Sequence, residues 1–330
     1  MNNYDFIAIG DTVTDAFIRL SPTSAHVEID HGTGRELCLR FGDKIPYDNV
    51  YVVPGVGNAA NAAVSASRLG LKTAFVSNIG DDDRGKEIIK VMREEKVGSE
   101  FIAVHKNQKT NYHYVLWYGD ERTILIKHEP YEYALPDINE PKWVYFSSLG
   151  ENSLVFHETL ADYLVAHPSI KLAFQPGTFQ MKIGREKLTR IYKRTNAFFC
   201  NKEEAQRILL TKEEDIKILL RAVADLGPKI VFITDGIRGA YAYDGAEMLF
   251  MPPYPDPKPP LQRTGAGDAF SSTITVALML DKDIKEALRW GPINSMSVVQ
   301  GIGARQGLLA REQLEEYLAK APEDYYPKQI

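Results

Sequence analysis

The sequence predicts a doubly wound, three-layer αβα fold with a mainly parallel central sheet and a small β-sheet lid. Three observations predict it. Short β-rich runs alternate with longer helical patterns, as βα units do when they build a parallel sheet covered on both faces. Turns rich in glycine and acid follow the strands, where ligands of such sheets bind. Two segments interrupt the alternation with strand-like pieces of their own.

Strands are predicted at Phe6–Ile9, Thr73–Ile79, Trp143–Ser147, Leu172–Gln175, Ala197–Cys200 and Ile230–Thr234, each a short β-branched or aromatic run. Helical periodicity lies between them at Asn58–Leu69, Lys86–Glu95, Leu154–Ala166, Ile183–Tyr192, Lys202–Leu210 and Lys212–Leu226. The interrupting segments are residues 17–53, with strand-like Val27–Ile29 and Leu37–Phe41, and residues 105–128. The latter hold a hairpin with arms Tyr112–Tyr118 and Arg122–Lys127 about a Gly119-Asp120 turn. Together they form a small separate sheet, compatible with a lid and with a dimer interface. Alternation in the strand places Tyr112, Tyr114 and Tyr118 on one face, where they would stack on a ligand or pack on a neighbour. Pro252–Pro260 reads as a stiff extended loop, and Pro322–Ile330 as a loosely held tail.

Composition narrows the function. The chain has 330 residues, 44% hydrophobic and 25% charged, with 39 basic against 44 acidic residues and a net charge of −5. With no basic block, no nucleic-acid partner is expected. No apolar run approaches the roughly 20 residues that span a bilayer, so no membrane partner is expected. Two cysteines, Cys38 and Cys200, without a CxxC or a Cys/His sequence cluster, fit a reducing cytoplasm and argue against a zinc site. A strand beginning near Tyr4 leaves no visible signal peptide.

Arg263-Thr-Gly-Ala-Gly-Asp-Ala-Phe270 is the most informative stretch. Its small residues lead into an apolar run, Ala269–Leu280, that reads as a buried helix. Free N–H groups and the dipole at such a helix start make an anion site, and Asp268 adds a carboxylate there. That combination suits phosphoryl transfer to a hydroxyl; an Asp that only caps a helix is the alternative. Two other glycine motifs compete. Gly80-Asp-Asp-Asp-Arg-Gly-Lys86 approaches a P-loop, but Glu87 replaces the required hydroxyl and three acids crowd the cradle. Gly55-Val-Gly-Asn-Ala-Ala60, with Asp81 downstream, fits a dinucleotide fingerprint and makes an NAD-dependent dehydrogenase the rival class.

Taken together, Gly55–Ala63, Arg68-Leu69-Gly70, Ile79–Asp82 with Gly85, and Arg263–Phe270 resemble the two signatures of the PfkB (ribokinase-like) carbohydrate kinases. Asn201-Lys-Glu-Glu204 resembles that family's Asn-x-x-Glu motif, Thr234–Ala240 its ATP-binding turn, and Ile302-Gly-Ala304 a further C-terminal element. The matches run in family order over about residues 4–310 and imply one kinase domain over residues 1–330 with the two lid segments inserted. The implied activity is ATP- and Mg²⁺-dependent phosphorylation of a sugar or nucleoside hydroxyl. The resemblance makes Asp268 the catalytic base, with Gly265, Ala266 and Gly267 completing the anion hole. It assigns Asn201, Glu204, Thr234, Gly236 and Gly239 to the nucleotide, Glu204 also to the metal, and Asp15, Gly57 and Asn61 to the acceptor. On the residues alone, Asn201 and Glu204 would also serve as a capping pair, Asp15 as a turn residue, Arg122 as a lid contact or a solvated strand residue, and Asn294 as a packing residue rather than an adenine contact.

The chain departs from the family pattern at two points. Val56 loosens the acceptor turn. Gln262 and Arg263 stand where many relatives carry an Asp that helps bind a monovalent cation, which leaves K⁺ open. No cation is fixed over the pocket to hold a second phosphate, so the expected acceptor is a neutral small-molecule sugar, then an adenosine-like nucleoside. A non-catalytic sugar-binding homologue and a homodimer through the lid remain compatible with the sequence.

Overall fold

Residues 4–30, 34–119 and 121–330 are described by the computed structural model. Their strands are β1 (Phe6–Ile9), β2 (Val13–Leu20), β3 (His26–Asp30), β4 (Gly34–Cys38), β5 (Tyr47–Val56), β6 (Thr73–Gly80), β7 (Ile102–His105), β8 (Tyr112–Tyr118), β9 (Glu121–Leu125), β10 (Trp143–Phe146), β11 (Lys171–Phe174), β12 (Ala197–Asn201), β13 (Ile230–Thr234), β14 (Ala240–Tyr243), β15 (Met248–Met251) and β16 (Lys328–Gln329). Ten of them form one sheet in the order β16-β15-β14-β13-β12-β11-β10-β1-β6-β7. From β13 to β7 neighbours are parallel; β14, β15 and β16 close one edge antiparallel. Every residue of β1, β6 and β10 is buried, as a parallel sheet covered on both sides requires.

One face is covered by helices Asn58–Arg68, Asp83–Glu94, Ala266–Met279 and Ile284–Val298, the other by helices including Leu154–Ala166, Lys202–Leu209 and Ile216–Ala224. The three-layer architecture read from the alternation is therefore present, and β1, β6 and β10–β13 are the six predicted strands. The alanines of helix Asn58–Arg68 let it lie close to the sheet: a Cβ on Gly10 would sit 2.7 Å from the Cβ of Ala59. The chain leaves β1 toward β6 on one side and returns to β10 on the other, so the switch point lies between β1 and β10, where ligands of open α/β sheets bind.

A second sheet, β5-β2-β8-β9, stands apart, and β3 and β4 pair with each other. The hairpin arms match the expectation; Asp120 of its turn lies outside the described residues. Phe17, Val115 and Trp117 form this sheet's own small core.

Three expectations need correction. The helix expected at 183–192 is two short ones, Thr178–Ile183 and Thr189–Arg194, because Gly184 at φ +92° ends the first. The tail is held: Tyr325 is buried, its hydroxyl donates to the Arg289 carbonyl (2.7 Å), and β16 extends the sheet edge. The dinucleotide fingerprint fails by context, since the strand before Gly57 is β5 of the small sheet rather than a strand of the main sheet. The P-loop lookalike also has structural work. Asp82 caps helix Asp83–Glu94 through the Gly85 N–H and accepts from Thr110.

Candidate active site

Asp268 stands in the first turn of helix Ala266–Met279, whose residues Asp268–Ala277 are all buried. Gly265 caps that helix at φ +83°, and a Cβ there would lie 2.5 Å from the Cβ of Ala304 and 2.6 Å from its Cα. Only glycine admits both the left-handed backbone and this approach. The N–H groups of Ala266, Gly267 and Asp268 have no intrahelical acceptor, as at every helix start.

Three side-chain amides hold the Asp268 carboxylate. Asn58 Nδ2 donates to Oδ1 at 2.8 Å, Asn61 Nδ2 to Oδ2 at 2.7 Å, and Gln175 Nε2 to Oδ1 at 3.1 Å. Asn58 and Asn61 are three apart and therefore share a helix face; Gln175 follows β11 at its carboxyl end. Gln175 Oε1 is itself bonded by Tyr145 and Ser271. Burial pushes the Asp268 carboxyl above its ordinary 3.8, against the lowering effect of Asn61, Gln175, Asn58 and the Arg122 charge.

Beyond Asp268 lie buried polar atoms without hydrogen-bond partners: Asp11 Oδ1, Asp15 Oδ1, Asn61 Oδ1, His113 Nε2 and Arg122 Nε. They belong to one neighbourhood. His113 Nδ1 is 3.5 Å from Asp15 Oδ1, and the His113 and His128 rings are 5.5 Å apart. His128 Nδ1 and the Tyr133 hydroxyl both donate to Asp11 Oδ2 at 2.8 Å. Arg122 feels the charges of Asp268 and Asp15, and burial lowers its pKa. Buried polar atoms cost free energy unless a partner satisfies them, so these atoms are donors and acceptors that a polar ligand can satisfy. Gly57, at φ +116°, brings its turn against the Asp11 carbonyl, which a Cβ would meet at 2.8 Å.

Toward β12 and β13, Asn201 and Thr234 are cross-strand partners at adjacent strand ends. Asn201 and Glu204 form a reciprocal capping box, each bond 2.8 Å, so the capping role is real. Glu204 nevertheless has a raised pKa, first from burial, then from the charge of Asp268. Gly239 (φ +105°) meets the Met251 carbonyl, whereas Gly236 (φ +55°) faces open space. Asp235 and Arg238 brace this turn with bonds of 2.6 and 2.7 Å.

The hairpin tyrosines turn the other way. Asp15 pairs with His113 and Arg19 with Trp117, so the face of the small sheet bearing Asp15 carries His113, Val115 and Trp117. Tyr112, Tyr114 and Tyr118 lie on the opposite face, away from Asp15 and His113. Arg122, opposite Trp117, shares the inner face. Asn294 is fully buried, bonded to Thr273 and to the Leu309 N–H, and is a packing residue. The structure also brings His26, Glu28 and Cys38 within 4.8 Å across the β3–β4 hairpin, a grouping invisible in sequence spacing; the exposed His26–Glu28 pair at 2.9 Å accounts for it.

The sequence model of the pfkB family carbohydrate kinases matches residues 31–311. The chain belongs to this family. It is 27% identical over 288 residues to a ribokinase of Bacillus subtilis (85% of this chain, 92% of the relative). It is also 27% identical over 288 residues to a 5-dehydro-2-deoxygluconokinase of Bacillus licheniformis (80% and 86%). In fold it resembles the Arabidopsis thaliana ribokinase complexed with ribose and ATP (TM-score 0.77, 19% identity, 96% and 99% covered). It resembles the Methanocaldococcus jannaschii nucleoside kinase similarly (TM-score 0.75, 18% identity, 97% and 100% covered). The kinase is thus a phosphotransferase with an alcohol acceptor, and the rival dehydrogenase class falls away. No helix among the described residues is long and apolar enough to cross a membrane.

The motif residues Gly265–Asp268, Gly57 and Asn61 converge on one place, with Asp15 reached through Arg122. Asn58, Gln175, His113, His128 and the Asp11 side chain were not singled out as site residues by motif. The signal for Asp11 and Gln175 was positional: both stand at the carboxyl end of a predicted strand.

Proposed function

We propose that this kinase transfers the γ-phosphate of ATP to a hydroxyl of a small neutral sugar. The observation that carries the reading is Asp268, a buried carboxylate at a helix N-terminus, held by three amides beside a cluster of unpartnered polar atoms. Asp268 takes the acceptor's proton as that oxygen bonds to the γ-phosphorus; the bond to the bridging oxygen breaks and ADP departs with its electrons. The N–H groups of Ala266, Gly267 and Asp268, with the helix dipole, stabilise the charge in transit. Arg122 closes the same space from the lid as a guanidinium whose Nε has no hydrogen-bond partner.

The nucleotide and metal fit the residues present. Thr234 and Asn201 stand side by side, and the open space at Gly236 leaves room for phosphates or ribose. Burial and the charge of Asp268 both raise the pKa of the half-buried Glu204, a setting that favours a divalent cation. Mg²⁺, when bound, would neutralise charge on the phosphates, and Glu204 and Asn201 are the residues that would hold it. Asp11, Asp15, Asn61 and His113 receive the acceptor, and Gly57 shapes its turn. This polar lining and the outward tyrosines favour a sugar over a nucleoside base.

Residues 1–330 then act as one domain, with segments 17–53 and 105–128 as the lid. The lid's outer face carries a cross-strand row, Val52, Ala16, Tyr114 and Leu125, of which Val52 (54%), Tyr114 (49%) and Leu125 (51%) are exposed. This apolar strip is the surface for a homodimer. Both cysteines are free, which suits the cytoplasm.

Acceptor-dependent ADP release with Mg-ATP tests the reading across fructose, ribose, glucose, adenosine, other nucleosides and phosphosugars. Turnover of a neutral sugar is expected. Turnover of adenosine alone would transfer the reading to a nucleoside kinase. Silence throughout with Mg-ATP bound would leave a sugar-binding homologue.

The pH profile is a second test. Asp268 works as a base only when ionised, so activity is lost as pH falls through its pKa. Burial has raised that pKa, so the acid limb should lie above the ordinary carboxylate value of 3.8. Asn61→Ala removes a donor that favours the ionised form and should move the limb to higher pH. An unmoved limb would assign it to another group.

A further inference from the structure

Many relatives of this family are implied to hold a monovalent cation beside the Gly-Ala-Gly-Asp turn. The residues here do not fit one. Gln262 is buried, at 2% exposure. Its Nε2 lies 3.0 Å from the Gly301 carbonyl oxygen and 3.2 Å from that of Gly303, so the amide's two hydrogens meet two converging acceptors. Its Oε1 accepts the Thr264 N–H at 2.6 Å. Backbone carbonyls converging on one point are what a hard cation coordinates, and a donor already stands there. Flipping the amide to offer Oε1 would give up the Thr264 bond and face oxygen against oxygen.

The carbonyls that Gln262 grips lie directly behind the anion hole. Ala304 sets the room available to Gly265, and Gly303, at φ +74°, packs against Val53 of the lid strand β5. Arg305 adds a second internal donor, its Nη1 bonding the Pro54 and Gly55 carbonyls of the acceptor turn at 2.9 and 3.0 Å. Protein donors thus tie the C-terminal loop, the anion-hole turn and the acceptor turn together.

We infer that this kinase turns over without a monovalent cation, and that Gln262 is the positioning residue that stands in for one. The Gln262 amide satisfies the Gly301 and Gly303 carbonyls and fixes the Gly265 turn against them. The cost of a cation's desolvation and the dependence on its concentration are both avoided. The inference rests on the kinase reading above.

The test compares the full chain in choline, Na⁺, K⁺ and NH₄⁺ chlorides at one ionic strength, reading kcat, KM for ATP and thermal midpoint. Wild type should vary by less than about 2-fold, since non-specific screening is held constant, with no K⁺-specific midpoint shift. Gln262→Glu keeps the side chain's length but puts a carboxylate oxygen, an acceptor, where Nε2 donated to the two carbonyls. It should lose at least about 10-fold in kcat in choline, as for a displaced oxyanion-hole donor, and regain part of it in K⁺ or NH₄⁺ with a K⁺-specific rise in midpoint. K⁺-selective activation of wild type, or a K⁺-specific rise in its midpoint, overturns cation independence. Gln262→Glu with wild-type kcat in choline overturns the positioning role. Absence of turnover in every salt and on every acceptor would instead fail the kinase reading, and the wild-type thermal midpoint still decides whether K⁺ binds.

Discussion

Asp268→Asn is expected to lower kcat by at least about 100-fold, the range for loss of a general base, while Mg-ATP still binds. The fall should not come from unfolding. Burying the ionised carboxylate costs free energy, as its raised pKa shows, and the amide removes that cost. Against this, Asn58, Asn61 and Gln175 all present donors, and an Asn at 268 can offer an acceptor on only one side. One N–H pair then faces another, unless Asn61 turns its unpartnered Oδ1 toward the new amide. Thermal stability should therefore change little, the two effects opposing each other, while turnover collapses. Steady-state kinetics, nucleotide titration and a melting curve on the same preparation check this. A mutant with wild-type kcat would remove Asp268 from the chemistry. A collapse in melting temperature matching the loss of activity would make its role structural.

The residues that make Asp268 a base show what could be read from the chain and what could not. Gly265–Asp268 was legible because its chemistry is local: small residues, a helix start and an acid within one turn of backbone. The six central strands were legible because burial on both faces demands continuous apolar runs. Gln175 was not, since its amide matters only through a partner 93 positions away, on the helix Ala266–Met279 that packs on the sheet. Asp11, His128 and Tyr133 form one hydrogen-bonded group from the turn after β1 and the segment between β9 and β10, which no spacing in the sequence announces. The hairpin tyrosines were legible as one face, yet which face it was depended on how β8 pairs with β2. Periodicity fixes parity, and only tertiary pairing says which parity is inside. β16 escaped for a similar reason: a two-residue strand has no pattern of its own, and its place at the sheet edge follows the buried Tyr325 just before it.

Gly265→Ala should be nearly as damaging as loss of the base, by a different route. The residue holds φ +83°, where a Cβ is strained in any surroundings, and the new methyl would meet the Cβ and Cα of Ala304 at 2.5 and 2.6 Å. Neither is the end of a flexible side chain, so backbone must move. Strain and overpacking together would cost about 2–5 kcal/mol of stability. The movement falls on the turn that aims the first helical N–H groups, so kcat should drop at least about 100-fold, as when an oxyanion-hole donor is displaced. Gly267→Ala is the control within the same motif. Its φ is not in the left-handed region, and its Cβ would meet only Gln175 Nε2, at 3.8 Å. That variant should fold with a melting temperature near wild type, and any loss of activity would come from a methyl beside the amide that holds Asp268. Equal melting temperatures for the two variants would mean that the approach of Ala304 to Gly265 does not constrain the turn. A Gly265→Ala protein that is destabilised yet turns over at the wild-type rate would show that the anion hole is not built on this helix start.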